Sequence, residues 1–214
     1  MAGMHLDHLS FAAGPEGLEA TAERLGAQLS ASFRDGGFHP RFGTRNKILP
    51  LTDGQYLEVV EVLDHPAAEK APFGQAVRAR SLDGGGWLGW VVSVDDLTPV
   101  EERLGRPAVE GHRHLPDGTR LSWQQLGVKG LQSDPQLPFF IRWLSDASIH
   151  PSSGGDGVEL VKIEIAGDRE RVDDWLGGRS DTILHDVDIE WIAPNGQPGL
   201  VAAVFSTSHG QVRL

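Results

Sequence analysis

Cysteine is absent from the 214 residues, which excludes disulfides, thiolate nucleophiles and cysteine-ligated zinc. Positive charge is scarce too. Against 30 Asp and Glu stand 19 Lys and Arg, a formal net charge of −11 and the wrong sign for nucleic acid or an anionic membrane as partner. No apolar run approaches the roughly 20 residues needed to span a bilayer. The opening MAGMHLDHLSF lacks a basic stretch leading into an apolar one, so no signal peptide is expected and a reducing cytoplasm is the natural compartment. There is no P-loop lysine motif and no G-x-S-x-G elbow. Gly84, Gly86 and Gly89 match G-x-G-x-x-G by letter, but a strand follows where a dinucleotide-binding turn requires a helix. What remains is an ordinary globular composition, 39% hydrophobic and 23% charged, sufficient for a real core.

The most informative stretch runs from Phe42 to Glu61. It reads as two strands joined at Asp53-Gly54, where Gly takes positive φ freely and Asp tolerates it. In the second strand Leu57 and Val59 point one way, while Tyr56, Glu58 and Val60 point the other. One face then packs on a core, and the other presents a phenol and a carboxylate. His5 to Ala13 reads as a strand of the same kind, with Leu9 and Phe11 opposite His8 and Ser10. Pro15 and Glu16 open a helix whose apolar stripe is Leu18, Ala22, Leu25 and Leu29.

These elements make one βαβββ module over about residues 4–63. A loop and short helix (64–79) and a flexible connector (81–86) lead to a second copy over about 87–145. In it Asp95-Asp96 caps a helix, and Glu102-Arg103-Leu104-Gly105 echoes Glu23-Arg24-Leu25-Gly26. Ile149 to Gly157, rich in Pro, Ser and Gly, reads as a linker. A third run of the same order follows: a strand from Val158, a helix from Asp168, strands at 187–192 and 200–205, and a last edge strand at 211–214. Asn195-Gly196 marks a turn between two of them. The expected domains are therefore 1–149, holding two modules, and 150–214, holding a third.

The order and spacing of GTRNKILPL, DGQYLEVVEV, LDHLSFA (from Leu6), PFGQAV (from Pro72), GWLGWVVSVDDL (from Gly86), PDGTRLSWQ (from Pro116) and LPFFIRW (from Leu137) resemble the glyoxalase-like domain family. That family belongs to the vicinal oxygen chelate superfamily, with glyoxalase I, extradiol dioxygenases and bleomycin-resistance proteins. The resemblance implies an α+β fold of repeated βαβββ modules, whose curved mixed sheets form a cup with helices outside. It does not settle the reaction, because one scaffold supports many chemistries.

It also implies a metal site built on the first and last strands of paired modules. His8 and Glu58 match the first-module positions, as metal ligands or as catalytic acid and base. Laying the second module on the first puts Gly89 opposite His8 and Arg142 opposite Glu58, and neither can ligate a metal. Half the ligand set is missing, so a divalent metal is the less favoured reading and the cofactor stays unknown. Arg142 is expected to face the cup, either gripping an anionic ligand beside Glu58 or forming a structural ion pair with it. His39 and Asn46 complete the candidate ligand-binding set. The plain alternative for Glu58 is a solvated carboxylate on a half-buried sheet. Trp90, Trp123, Trp143 and Phe42 read mostly as core. His112-Arg113-His114, next to the Pro116-Asp117-Gly118 turn, reads as a solvated loop, and His185-Asp186-Val187-Asp188 carries no stronger signal.

Two functions fit. One is a lyase, isomerase or dioxygenase acting on a small oxygenated metabolite, and the other is a non-catalytic protein that sequesters a small molecule. An unpaired third module must either pack back on the first two or pair with a second chain, and the homodimer is slightly favoured.

Overall fold

A computed structural model describes residues 3–193 and 196–214. The strands are β1 (Met4–Ala12), β2 (Arg34–His39), β3 (Thr44–Pro50), β4 (Tyr56–Val62), β5 (Gly86–Val94), β6 (Val109–His114), β7 (Arg120–Leu126), β8 (Phe139–Trp143), β9 (Glu159–Ala166), β10 (Asp188–Ile192), β11 (Gly199–Thr207) and β12 (Gly210–Arg213). The helices are α1 (Gly17–Leu29), α2 (Pro66–Lys70), α3 (Pro72–Leu82), α4 (Thr98–Leu104), α5 (Gly130–Ser133), α6 (Arg169–Leu176) and α7 (Ser180–Ile183).

The first eight strands close into a barrel in the order β1-β4-β3-β2-β6-β7-β8-β5, and β9 to β12 form a separate four-stranded sheet. The α+β fold expected from the repeats is thus present, with helices outside a curved sheet. In each barrel half the first strand lies parallel to the last, as β1 does to β4 and β5 to β8. Two seams join the halves. β1 and β5 pair antiparallel along their length, whereas β2 and β6 meet at Phe38 and His114 alone. Gly37 permits that second seam. Its φ is 95°, and a Cβ there would stand 2.0 Å from the His114 carbonyl oxygen.

The hairpin at Asp53-Gly54 forms with positive φ at both residues, 60° and 78°. α1 lays Leu18, Ala22 and Leu25 on Phe11 and Val59, the outward residues of β1 and β4. Glu61 accepts a hydrogen bond from the Leu18 backbone N–H and so serves the start of that helix. The N-cap position of α4 is Leu97 rather than the expected Asp95-Asp96, although Asp96 accepts from the Thr98 N–H and hydroxyl at the start of the helix. α2 and α3, more helix than the sequence suggests between the modules, set Phe73, Ala76 and Val77 against inward-facing Val60, Val91 and Phe139.

The C-terminal elements do run β, α, β, β, β, but their pairing departs from the barrel halves. β9 lies parallel to β10, the strand after its helix, and antiparallel to β11. This is a βαβ unit with a hairpin added, not a third copy of the barrel topology. Asn195 of the expected turn lies outside the described residues. The unit packs back on the barrel. Leu160, Ile163, Ile165, Trp175 and Phe205 share one core with Leu6, Leu9, Leu57, Trp90 and Phe140. Asp186 accepts from the Leu6 backbone N–H, and the Trp90 and Trp175 indoles bond to carbonyls of Gln136 and Pro138. The apolar face on which a homodimer was expected to close is therefore covered within the chain. Among the described residues no helix is long and apolar enough to cross a membrane.

Candidate functional site

Strand alternation delivers His8, Ser10, Asn46, Tyr56 and Glu58 to one place inside the barrel. β1 and β4 are parallel neighbours with His8 opposite Tyr56 and Ser10 opposite Glu58. Residues side by side in a ladder share a face, so all four look inward. Asn46 joins them from β3. Its Nδ2 donates to Glu58 Oε1 at 2.6 Å, and Ser10 Oγ donates to Oε2 at 2.8 Å. Glu58 is 4% exposed, so the plain reading of a solvated carboxylate is corrected. Burial pushes its carboxyl up. His8 and His39 nearby, with the two hydrogen bonds, more than offset this and hold it below its ordinary value. Glu58 is an ionised, buried carboxylate.

His8 stands beside it, with Nε2 4.0 Å from Glu58 Oε2. Its Nδ1 is 2.6 Å from Asp7 Oδ1. An ionised carboxylate only accepts, so Nδ1 carries the proton and Nε2 faces Glu58. The Tyr56 ring stacks on the imidazole at 4.4 Å and 17°. Buried beside Asp7 and Glu58, the Tyr56 phenol is raised well above its usual range and stays neutral. Asp7 itself also receives the Trp143 indole N–H at 2.8 Å and lies 3.5 Å from His150 Nε2. Burial raises the Asp7 carboxyl, but the hydrogen bonds and charges of His150 and His8 carry it far below its ordinary value.

Asp7 escaped the alternation reading for a definite reason. Leu6 pairs with Val92 and His8 with Val91, so β1 carries one extra residue at Asp7. This β-bulge turns consecutive residues toward the same buried region. His150, in the segment read as a linker, reaches the same cluster and packs edge-on against Trp143 at 4.9 Å.

His39 is buried further along the barrel, with Nδ1 2.9 Å from Thr44 Oγ1 and its ring among Phe42, Phe73 and Trp123. Burial lowers it to about 4, so it is neutral at pH 7. The space enclosed by these residues is about 30 Å³, room for about two waters. Any larger occupant requires the aromatic side chains to move.

The second module contributes differently. Phe139, Ile141 and Trp143 face the pocket from β8, and Trp123 and Gln125 face it from β7. Arg142 lies on the other side of β8. It donates to Gln124 at 3.3 Å and borders an outer groove with His5, Asp95 and His150. Its expected contact with Glu58 is not made. The superposition slipped by three residues. Val91, two residues after the Gly89 matched to His8, is the counterpart of Ser10, and Val91 pairs with Phe139 as Ser10 pairs with Glu58. An odd slip turns every side chain to the opposite face.

The cation in the pocket is Arg113. His112-Arg113-His114 is β6, not a solvated loop, and its middle residue points in while both histidines point out. Arg113 is 3% exposed, and its Nε is buried with no hydrogen-bond partner. Burial lowers its pKa, with Tyr56 and Glu58 acting against that, yet a guanidinium stays charged in proteins. An unpaired buried ion is destabilising by several kcal/mol.

A glyoxalase-like domain model matches residues 6–178. The chain belongs to the glyoxalase-like domain family. The fold extends to a hypothetical protein from Staphylococcus aureus, which is 15% identical with a TM-score of 0.69, covering 97% of this chain and 92% of that one. Two further solved structures are more distant. A variant of Streptomyces coelicolor methylmalonyl-CoA epimerase, in complex with 2-nitronate-propionyl-CoA, is 16% identical with a TM-score of 0.42 over 67% of this chain and 94% of that one. A variant of 4-hydroxymandelate synthase from the same organism is 12% identical with a TM-score of 0.47, spanning 100% of this chain and 63% of that one. No curated protein sequence matches.

A superfamily metal centre would need donors from both halves of this glyoxalase-like domain. His8 and Glu58 supply two. The second half places Phe139 and Ile141 there and adds the Arg113 cation, and both Glu58 oxygens already accept hydrogen bonds. Among the described residues no group of three or more His, Asp or Glu is arranged to hold a metal. This donor set does not fit a metal ion.

Proposed function

We propose that the barrel pocket binds a small oxygenated metabolite and that Glu58 and His8 move a proton on it, as in an isomerase or lyase. The observation that carries this reading is the ionised Glu58 carboxylate buried 4.0 Å from His8 Nε2. A carboxylate able to accept a proton and an imidazole able to relay one then flank one point, and Asp7 orients the imidazole from behind. Ser10 and Asn46 hold the carboxylate in one geometry, which favours proton transfer over a variable encounter. A dioxygenase reaction is less favoured, because the residues present do not suit a metal. We assign the protein to a reducing cytoplasm, consistent with a chain free of cysteine.

The second reading is sequestration without chemistry, and the apolar half of the pocket supports it. Phe42, Phe73, Trp123 and Phe139 could hold a flat ligand by contact alone. One experiment separates the two. The protein is incubated in D2O with a panel of small 2-oxo and 2-hydroxy acids, and C–H signals are followed by NMR. Protein-dependent deuterium uptake that disappears in Glu58→Gln supports proton transfer. Binding without uptake at any C–H position leaves sequestration.

A further inference from the structure

We infer that Arg113 is the anchor for a monoanionic carboxylate, so that the ligand class is a small carboxylic acid with a flat or apolar body. This rests on the reading of the barrel interior as a small-molecule site. Arg113 is almost fully buried, its Nε has no partner, and its side chain borders the same cavity as Glu58. Among the described residues no side chain forms a hydrogen bond or ion pair with it. The ionisable groups that act on it are Tyr56, which stays neutral, Glu58, which is already hydrogen-bonded on both oxygens by Ser10 and Asn46, and, more weakly, Arg34 and Asp35. No carboxylate of the chain forms an ion pair with it among the described residues.

A planar guanidinium with free N–H groups matches a carboxylate through two parallel hydrogen bonds. The rest of the pocket narrows the class. Ionised Glu58 in the same small space repels a dianion, which disfavours a phosphate monoester. Phe42, Phe73 and Trp123 line the opposite side with the neutral His39 and with Gln125, whose Oε1 already accepts from the Trp123 indole, so the remainder of the ligand is flat or largely apolar. The cavity volume of about 30 Å³ limits it to few heavy atoms unless those rings shift.

Binding of benzoate and pyruvate to the full chain tests the assignment, with benzamide and inorganic phosphate as contrasts. Thermal shift and the 15N signal of the Arg113 Nε–H are the readouts. Both carboxylates are expected to raise the melting temperature with concentration and to move that signal, while benzamide and phosphate do neither. In Arg113→Leu the ligand-free protein should melt no lower than the parent, because an unpaired buried charge has been removed, and the carboxylate-induced shift should vanish. Arg113→Lys keeps the charge without the fork and should bind at least tenfold more weakly. A lower melting temperature in ligand-free Arg113→Leu would show that Arg113 is structural and overturn the anchor. So would an undiminished carboxylate shift in that variant, or stabilisation by phosphate exceeding that by carboxylate. The outcome is separable from proton transfer. Glu58→Gln should still bind carboxylates while losing deuterium uptake, and carboxylate binding without uptake in the parent would remove only the proton-transfer reading.

Discussion

The two halves of the barrel share one topology and differ in nearly every residue they turn inward. The first half contributes His8, Ser10, Asn46, Tyr56 and Glu58, with His39 and Phe42 beside them. The second contributes Trp123, Phe139, Ile141 and Trp143, with Arg113 as its single charge. Position by position the contrast is sharper still, since the ladder site of Glu58 corresponds to Phe139. A pseudo-symmetric scaffold fixes where side chains point and leaves open what they carry. One half therefore holds the groups that can move a proton, and the other supplies apolar surface and a cation. A closed, shared interior needs both.

The largest effect is expected from disabling the polar half. Glu58→Gln keeps the shape and both hydrogen-bonding neighbours but removes the base. Deuterium uptake or turnover should fall by about 10²–10⁴-fold, measured on protein whose melting temperature is close to the parent's. A smaller loss would place the proton transfer on His8 alone. Disabling the apolar half should act on stability instead. Trp123→Ala empties a site ringed by His39, Phe42 and Trp143 and leaves Gln125 Oε1 without its indole donor. We expect a loss of about 3–5 kcal/mol by chemical denaturation. A loss below about 1 kcal/mol would mean that the apolar half is not packed as described.

A third prediction concerns pH. The His39 ring is lowered from 6.5 to about 4 by burial, with Arg113, His8 and His112 adding to the effect and Glu58 opposing it. Between those values the unfolded chain binds a proton that the folded chain refuses. Stability is thus complete above about pH 6.5 and declines as pH falls toward 4, by an amount on the order of 2–3 kcal/mol. His39→Gln should flatten that slope, while the loss at lower pH that comes from protonating the depressed Asp7 carboxyl should remain. An unchanged slope would show that His39 is not the group responsible.

The polar half was legible in the sequence because strands carry period two, and His8, Ser10, Tyr56 and Glu58 sit on unbroken alternation. Asp7 was not, since a bulge changes phase without a compositional mark. Arg113 was hidden by its neighbourhood. A turn at Pro116-Asp117-Gly118 and two flanking histidines suggest a solvated loop, and only closure of β2 on β6 makes that strand interior on one side. Arg142 was misplaced because a repeat can be recognised while its register is wrong by a few residues, and an odd error reverses the face. The C-terminal unit shows the same boundary between local and global information. Its succession of elements follows from local patterning, whereas the pairing of β9 with β10 depends on contacts across the whole unit.

The smallest expected effect lies where the halves touch. Trp143 of the second half donates its indole N–H to Asp7 of the first, and Asp7 in turn holds His8. Trp143→Phe keeps most of the ring and removes that one charge-assisted bond. The stability loss at pH 7 should be about 1.5–3 kcal/mol, less than for Trp123→Ala because little volume is lost. The sign of its pH dependence follows from Asp7. Its folded carboxyl lies below the unfolded value of 3.8, so its contribution is complete above that value and lost as pH falls through the folded one. Without the indole donor the folded Asp7 titrates closer to 3.8, and the difference between variant and parent should narrow as the pH is lowered below 4. Denaturation followed from about pH 7 down to about pH 2 checks this. A difference that stays constant over that whole range would show that the Trp143 contact works through packing alone and that the two halves are not coupled through Asp7.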